Sequence, residues 1–321
     1  MTNLIQRLRQ RAFGYMSHKA SIQQDIAIRI RGGWNSPAAL NLLYVPALIL
    51  FGVFLFYPFI QGLRFSFTNW NGYSPRFDWV GLEKYQYLLT DVRVHQALLN
   101  TFFYGTVSTF WQNALGLAYA LFLDQKLRGK EIIRAIVYLP VIISPLIMGY
   151  IFYFVFQYDG GAANDVMALL GQEPVNWLGS GSTSVPIITF VNSYQYMGYA
   201  MVIYLAGLQT IPKEYHEAAA IDGASAFARF THITLPLLMP AITVNVVWNL
   251  IGGLKLFDVI IAMTNGGPGF SSMSLSTLMY NLYFVRQDAG YAAAIGNLMF
   301  LVITVVGVVM LINLRKREVE L

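Results

Sequence analysis

The 321-residue sequence contains no cysteine, which excludes disulfides and thiolate metal sites and leaves the redox compartment unread. Charge is scarce too. Asp, Glu, Lys and Arg make up 12 % of the chain, about half the share of an ordinary soluble domain. No apolar run of about 7–15 residues precedes Pro37, so no secretory signal is expected at the start. A phosphate-cradling G-x-x-x-x-G-K-[ST] run is missing as well: Gly129-Lys130 is followed by Glu131. His95, His216 and His232 stand isolated, without a paired carboxylate or a metal-binding spacing, which argues against an intramembrane enzyme.

What is present is apolar surface. Hydrophobic residues make up 56 % of the chain, with a mean hydropathy of +0.51, too much for a molecule facing only water. A membrane-spanning helix takes about 20 mostly apolar residues. Segments 38–60, 100–123, 135–158, 185–210 and 290–314 meet this without a charged residue, and 236–264 is uncharged until Lys255 and Asp258. The expectation is an all-α polytopic membrane protein with six transmembrane helices, which puts both termini on one side.

The net charge of +5 could suit nucleic acid, but the basic residues are segregated as a bilayer demands, so no nucleic-acid partner is expected. Fifteen lie in 1–37, in the loops after the second and fourth spans, and in the 315–321 tail. Five (Arg64, Arg76, Lys84, Arg93 and Arg286) lie on the other side, and 158–184 has none. By the positive-inside bias, both termini and the 211–240 loop are cytoplasmic. Residues 1–37 are amphipathic: Leu4, Ile5, Leu8, Ala12, Phe13 and Met16 recur at helical spacing between arginines. They suit an anchor on the inner leaflet's lipids or a regulatory segment. Residues 61–99, with Trp70, Trp79, Tyr85 and Tyr87, are expected to fold as an extracytoplasmic cap, followed by a five-helix core over 100–314.

The loop 211–240 predicts two short helices joined at a bend. Pro212 is tolerated in a first turn. Glu214 and Glu217 suit the positive end of the helix dipole, and Ala218 to Ala220 leave room for a close-packed partner. Asp222-Gly223 ends the helix, since Gly adopts the left-handed exit, and Ser225 caps the next one. Glu217, Ala218, Ala219, Gly223, Ile233, Leu235 and Pro236 together form E-A-A-x3-G-x9-I-x-L-P. This pattern resembles the coupling loop of type I, binding-protein-dependent ABC importer permeases, with the MetI-like core. The resemblance implies docking on an ATPase subunit through these residues and Asp222. It also implies a non-catalytic subunit, with no cofactor of its own and ATP and Mg held by the partner.

Phe257-Asp258-Val259-Ile260, the run from Met263 to Gly269 and Gly81-Leu82-Glu83-Lys84-Tyr85 narrow the resemblance to carbohydrate-uptake permeases, similar to the larger maltose-type subunit. A large periplasmic insertion is lacking. The shorter form resembles the first permease of alginate-type importers. The family implies a second, different permease, two ATPases, an extracytoplasmic solute-binding protein, a saccharide substrate and the bacterial cytoplasmic (inner) membrane. Glycerol phosphate or another small solute is the alternative cargo.

Polar side chains inside spans are costly in lipid and mark pathways. Asn192, Tyr194, Gln195, Tyr196 and Tyr199 fall in the fourth span, and Trp248 and Asn249 in the fifth. Amides pair with hydroxyls and aromatic faces stack on sugar rings, although interhelical hydrogen bonds would also explain these residues. By resemblance, Asn192, Tyr194, Tyr199 and Asn249 fall at substrate-contacting positions. Trp111, Gln112 and Asn113 look more like packing groups. Lys255 and Asp258 are expected as i, i+3 neighbours on one helix face, either paired or receiving an anionic substrate.

Overall fold

A backbone in lipid must satisfy its own N–H and C=O groups, so apolar runs of this length become helices. The computed structural model describes residues 44–125 and 127–319. The amphipathic reading of 1–37 and the start of the first expected span lie outside them. Among the described residues the fold is helical, with one isolated antiparallel bridge, Thr68 to Trp79. The chain divides into two units, 1–61 and 62–321. In the first, α1 (Tyr44–Phe65) begins, 22 residues with one wide turn at Gly52–Phe56.

In the second unit, α2 (Glu83–Thr90) leads to α3 (Val92–Asp124). Then come α4 (Lys130–Ile142), α5 (Pro145–Phe156), α6 (Ala162–Leu169) and α7 (Gly181–Gln209). Helices α8 (Lys213–Ile221) and α9 (Ala226–Leu237) form the predicted loop. They are followed by α10 (Met239–Leu254), α11 (Asp258–Thr264), α12 (Leu275–Tyr280) and α13 (Ala289–Arg315).

Helices α1 and α13 are each long and apolar enough to cross a membrane, and the bent pairs α4–α5 and α9–α10 would make four. Helices α3 and α7, of 33 and 29 residues, are longer but more polar. They pack on each other and bury Asn100, Gln112, Asn192 and Gln195. Small residues permit the close approach: a Cβ on Gly253 would stand 2.8 Å from the Gly105 Cα, where α10 crosses α3.

Two expected spans are bent rather than straight. The 135–158 segment turns by 97° between α4 and α5. Pro145 lacks a backbone N–H and pushes Ser144 into extended geometry (ψ 136°). The 236–264 segment breaks between Leu254 and Asp258, after Gly252-Gly253, a pair that weakens a helix end. The expectation that Lys255 and Asp258 share one helix face is therefore corrected: Lys255 caps α10 and Asp258 opens α11. Among the described residues no ion pair joins them.

The 62–99 segment is a folded cap on the start of α13. Tyr85 Oη meets Ser66 Oγ at 2.7 Å and accepts from Asn297 Nδ2 at 3.0 Å. Lys84 pairs with Asp288 at 3.0 Å. Leu88, Val94, Leu275, Leu278 and Ile295 close an apolar core beneath.

Candidate functional site

The break after α10 opens a cavity of about 390 Å³ among apolar helices. Asn192 and Tyr196 reach it from α7, Trp248 and Asn249 from α10, Lys255 and Asp258 from the break, and Gln112 from α3. Gln112 Nε2 donates to the Asn192 carbonyl at 3.0 Å, which leaves Gln112 Oε1 without a partner among the described residues. Asn249 Nδ2 is likewise buried and unpartnered. Trp248 is 62 % exposed and its ring stacks on Tyr199 (6.1 Å, 27° between planes). Tyr199 thus braces a ring that lines the cavity. The wall offers amides, one cation, one anion and an aromatic face.

Two of the sequence candidates lie elsewhere. Tyr194 lines a separate apolar groove with Trp111 and Phe190, and its ring packs edge-on against Phe152. Gln195 is fully buried, and its Nε2 donates at 2.9 Å to the Ile143 carbonyl. That oxygen sits at the α4–α5 bend, where the helix ladder is interrupted, so Gln195 ties the bend to α7. Gln112, weighed as packing, joins the cavity. Its signal was present in the sequence as an amide within an apolar run, but only the fold brings it beside Asn192.

In the predicted loop, Pro212 has extended geometry (ψ 135°) and α8 starts at Lys213. Gly223 takes φ +79°. Its N–H donates to Ala220 and the Ala224 N–H to Ala219 (2.9 Å), the paired bonds of a helix that ends on a left-handed residue. Ser225 Oγ accepts from the Ala228 N–H at 3.2 Å, capping α9. Glu217, Ala218, Asp222 and Gly223 are exposed around this turn, while Ala219, Ile233, Leu235 and Pro236 are half-buried. Ile221 and Phe227 stand out 86 % and 76 % exposed.

Residues 112–318, which hold both the cavity wall and this loop, match the family described as binding-protein-dependent transport system inner membrane component. The chain belongs to that family. Among its relatives in the same family is the multiple sugar-binding transport system permease protein MsmF of Streptococcus mutans. The two are 37 % identical over 89 % of this chain and 96 % of the relative. The trehalose/maltose transport system permease protein MalF of Thermococcus litoralis is 34 % identical over 82 % of this chain and 88 % of its own length. A chain from the crystal structure of a bacterial ABC transporter involved in the import of the acidic polysaccharide alginate shares the fold. Its TM-score is 0.77 at 24 % identity, over 91 % of this chain and 99 % of that one. As a member of the inner membrane component family, the chain is a permease and not itself an enzyme.

Proposed function

We propose that this permease carries a saccharide across the bacterial cytoplasmic membrane, with the α10–α11 break as part of its pathway. The observation that carries the proposal is the cavity: unsatisfied amides, two formal charges and a braced tryptophan gather where apolar helices surround them. Such groups are too costly to face lipid, and hydroxyl-rich rings with apolar C–H faces complement them. Relatives named for multiple sugars and for trehalose and maltose support the cargo class. Six crossings with both termini cytoplasmic remain the proposed topology, α4–α5 and α10–α11 each counting as one crossing.

The α8–α9 turn, around Glu217 and Gly223, is the proposed seat of an ATPase subunit. One such turn per permease calls for a second permease and a second ATPase, with ATP and Mg bound there. An extracytoplasmic solute-binding protein delivers the cargo. ATP drives the pathway from inward-open to outward-open only because it binds the two states with different affinity. The test is ATP-driven uptake of labelled saccharide by proteoliposomes that hold the full complex and its binding protein. Asn249→Leu is expected to lower uptake by about tenfold, the worth of a hydrogen bond or two. Unchanged uptake would move the pathway away from this cavity.

A further inference from the structure

We infer that Lys255 and Asp258 make this cavity selective for saccharide units without net charge, with Asp258 as the residue that rejects uronates. The inference rests on reading the cavity as the substrate pathway. Lys255 and Asp258 are both exposed at the wall, and neither takes part in an ion pair among the described residues. Among the described residues no other Asp, Glu, Lys, Arg or His lines the cavity; the groups facing them are Gln112, Asn192, Tyr196, Trp248 and Asn249. The formal charge of the wall is therefore zero.

Its hydrogen-bonding groups include pure donors, among them the Trp248 indole, and pure acceptors. Lys255 and the Asn249 amide nitrogen can only donate, whereas Asp258 and Gln112 Oε1 can only accept. Gln112 and Asn249 are 1 % and 5 % exposed, so their unpartnered atoms have little recourse to solvent. A sugar hydroxyl donates and accepts, and it rotates to suit, so a neutral ring can satisfy both halves of this wall. A carboxylate only accepts. Where a neutral ring offers a hydroxymethyl group, the carboxylate could not donate to Gln112 Oε1, and its attraction to Lys255 would be offset by repulsion from Asp258, three residues along the same break.

The test uses the complete transporter in lipid nanodiscs without the binding protein, so that only the membrane site discriminates. Tryptophan fluorescence titrations would compare maltotriose, arabinotriose and raffinose with trigalacturonate. Wild type is expected to prefer a neutral trisaccharide. Asp258→Asn should narrow that preference by about tenfold, Asp258→Glu should preserve it, and Lys255→Met should widen it. An unchanged ratio in Asp258→Asn, or a wild type that prefers trigalacturonate, overturns the charge assignment while the pathway stands. If Asp258→Asn prevents assembly of the complex, Asp258 contacts the neighbouring subunit instead and the assignment also fails. Binding of none of the four sugars by an intact, ATP-hydrolysing wild type overturns the pathway reading, and this inference with it.

Discussion

Single side chains tie interrupted backbone together in this molecule, and Gln195 is the clearest case. Its amide replaces the helical donor that the Ile143 carbonyl loses at the α4–α5 bend. Gln195→Leu would keep the volume but take the donor from that partly buried oxygen, at a cost of about 1 kcal/mol. A lower thermal midpoint in detergent is the expected outcome, and an unchanged midpoint would show that the bend does not depend on the clasp. On the cap, Asp91 plays a similar part. Burial alone would raise its carboxyl, but hydrogen bonds from the Arg93 side chain, the Tyr291 hydroxyl and the Arg93 N–H hold it below its ordinary value of 3.8. Its contribution is therefore present above that value and lost as pH falls through the lowered folded value. The gap in thermal midpoint between wild type and Asp91→Asn should shrink as the buffer goes from about pH 6 to about pH 3. A constant gap across that range would mean that the charge contributes nothing there.

Among elements, the α8–α9 turn is the one most exposed to a local test. Gly223 sits at φ +79°, whereas proline is confined near −65°, so Gly223→Pro must redirect the chain between the two helices. Transport is expected to cease, while the apolar helices keep the protein in the membrane. Glu217→Lys, which reverses an exposed charge next to the turn, should do the same. Uptake that survives both substitutions would remove the coupling role from this loop. The turn was legible in the sequence because its signals are local: Pro212, the alanines, Asp222-Gly223 and Ser225 each act within a few residues. The breaks at 143–145 and 255–257 were harder to read. Hydropathy averages over a window and sees one apolar run, while Pro145 and Gly252-Gly253 act on single hydrogen bonds inside it. The cavity was half legible for a related reason. Amides and aromatics at 192–199 and 248–249 announced polarity within spans, but which of them share a wall depends on helix rotation. That rotation placed Gln112 and Tyr196 together and turned Tyr194 and Gln195 away.

At the scale of the whole molecule, the segregation of basic residues makes a topological claim that the absence of cysteine renders easy to test. Helix α7 has 29 residues, about 44 Å at 1.5 Å per residue, against a hydrocarbon core of about 30 Å. That length suffices for one pass, and we propose that α7 separates the 158–184 loop, which lacks Lys and Arg, from the α8–α9 turn. Glu173 before it and Glu214 after it are both exposed, so a cysteine at either site should tolerate a label without disturbing a packed core. In the otherwise cysteine-free chain, a membrane-impermeant maleimide has one target at a time. Glu173→Cys should react in intact spheroplasts and be shielded in everted vesicles, and Glu214→Cys should show the reverse. If the two sites react from the same side, α7 does not cross. The cavity on its inner face would then lie at the membrane surface, where neither a pathway nor the cost of burying its polar wall would follow.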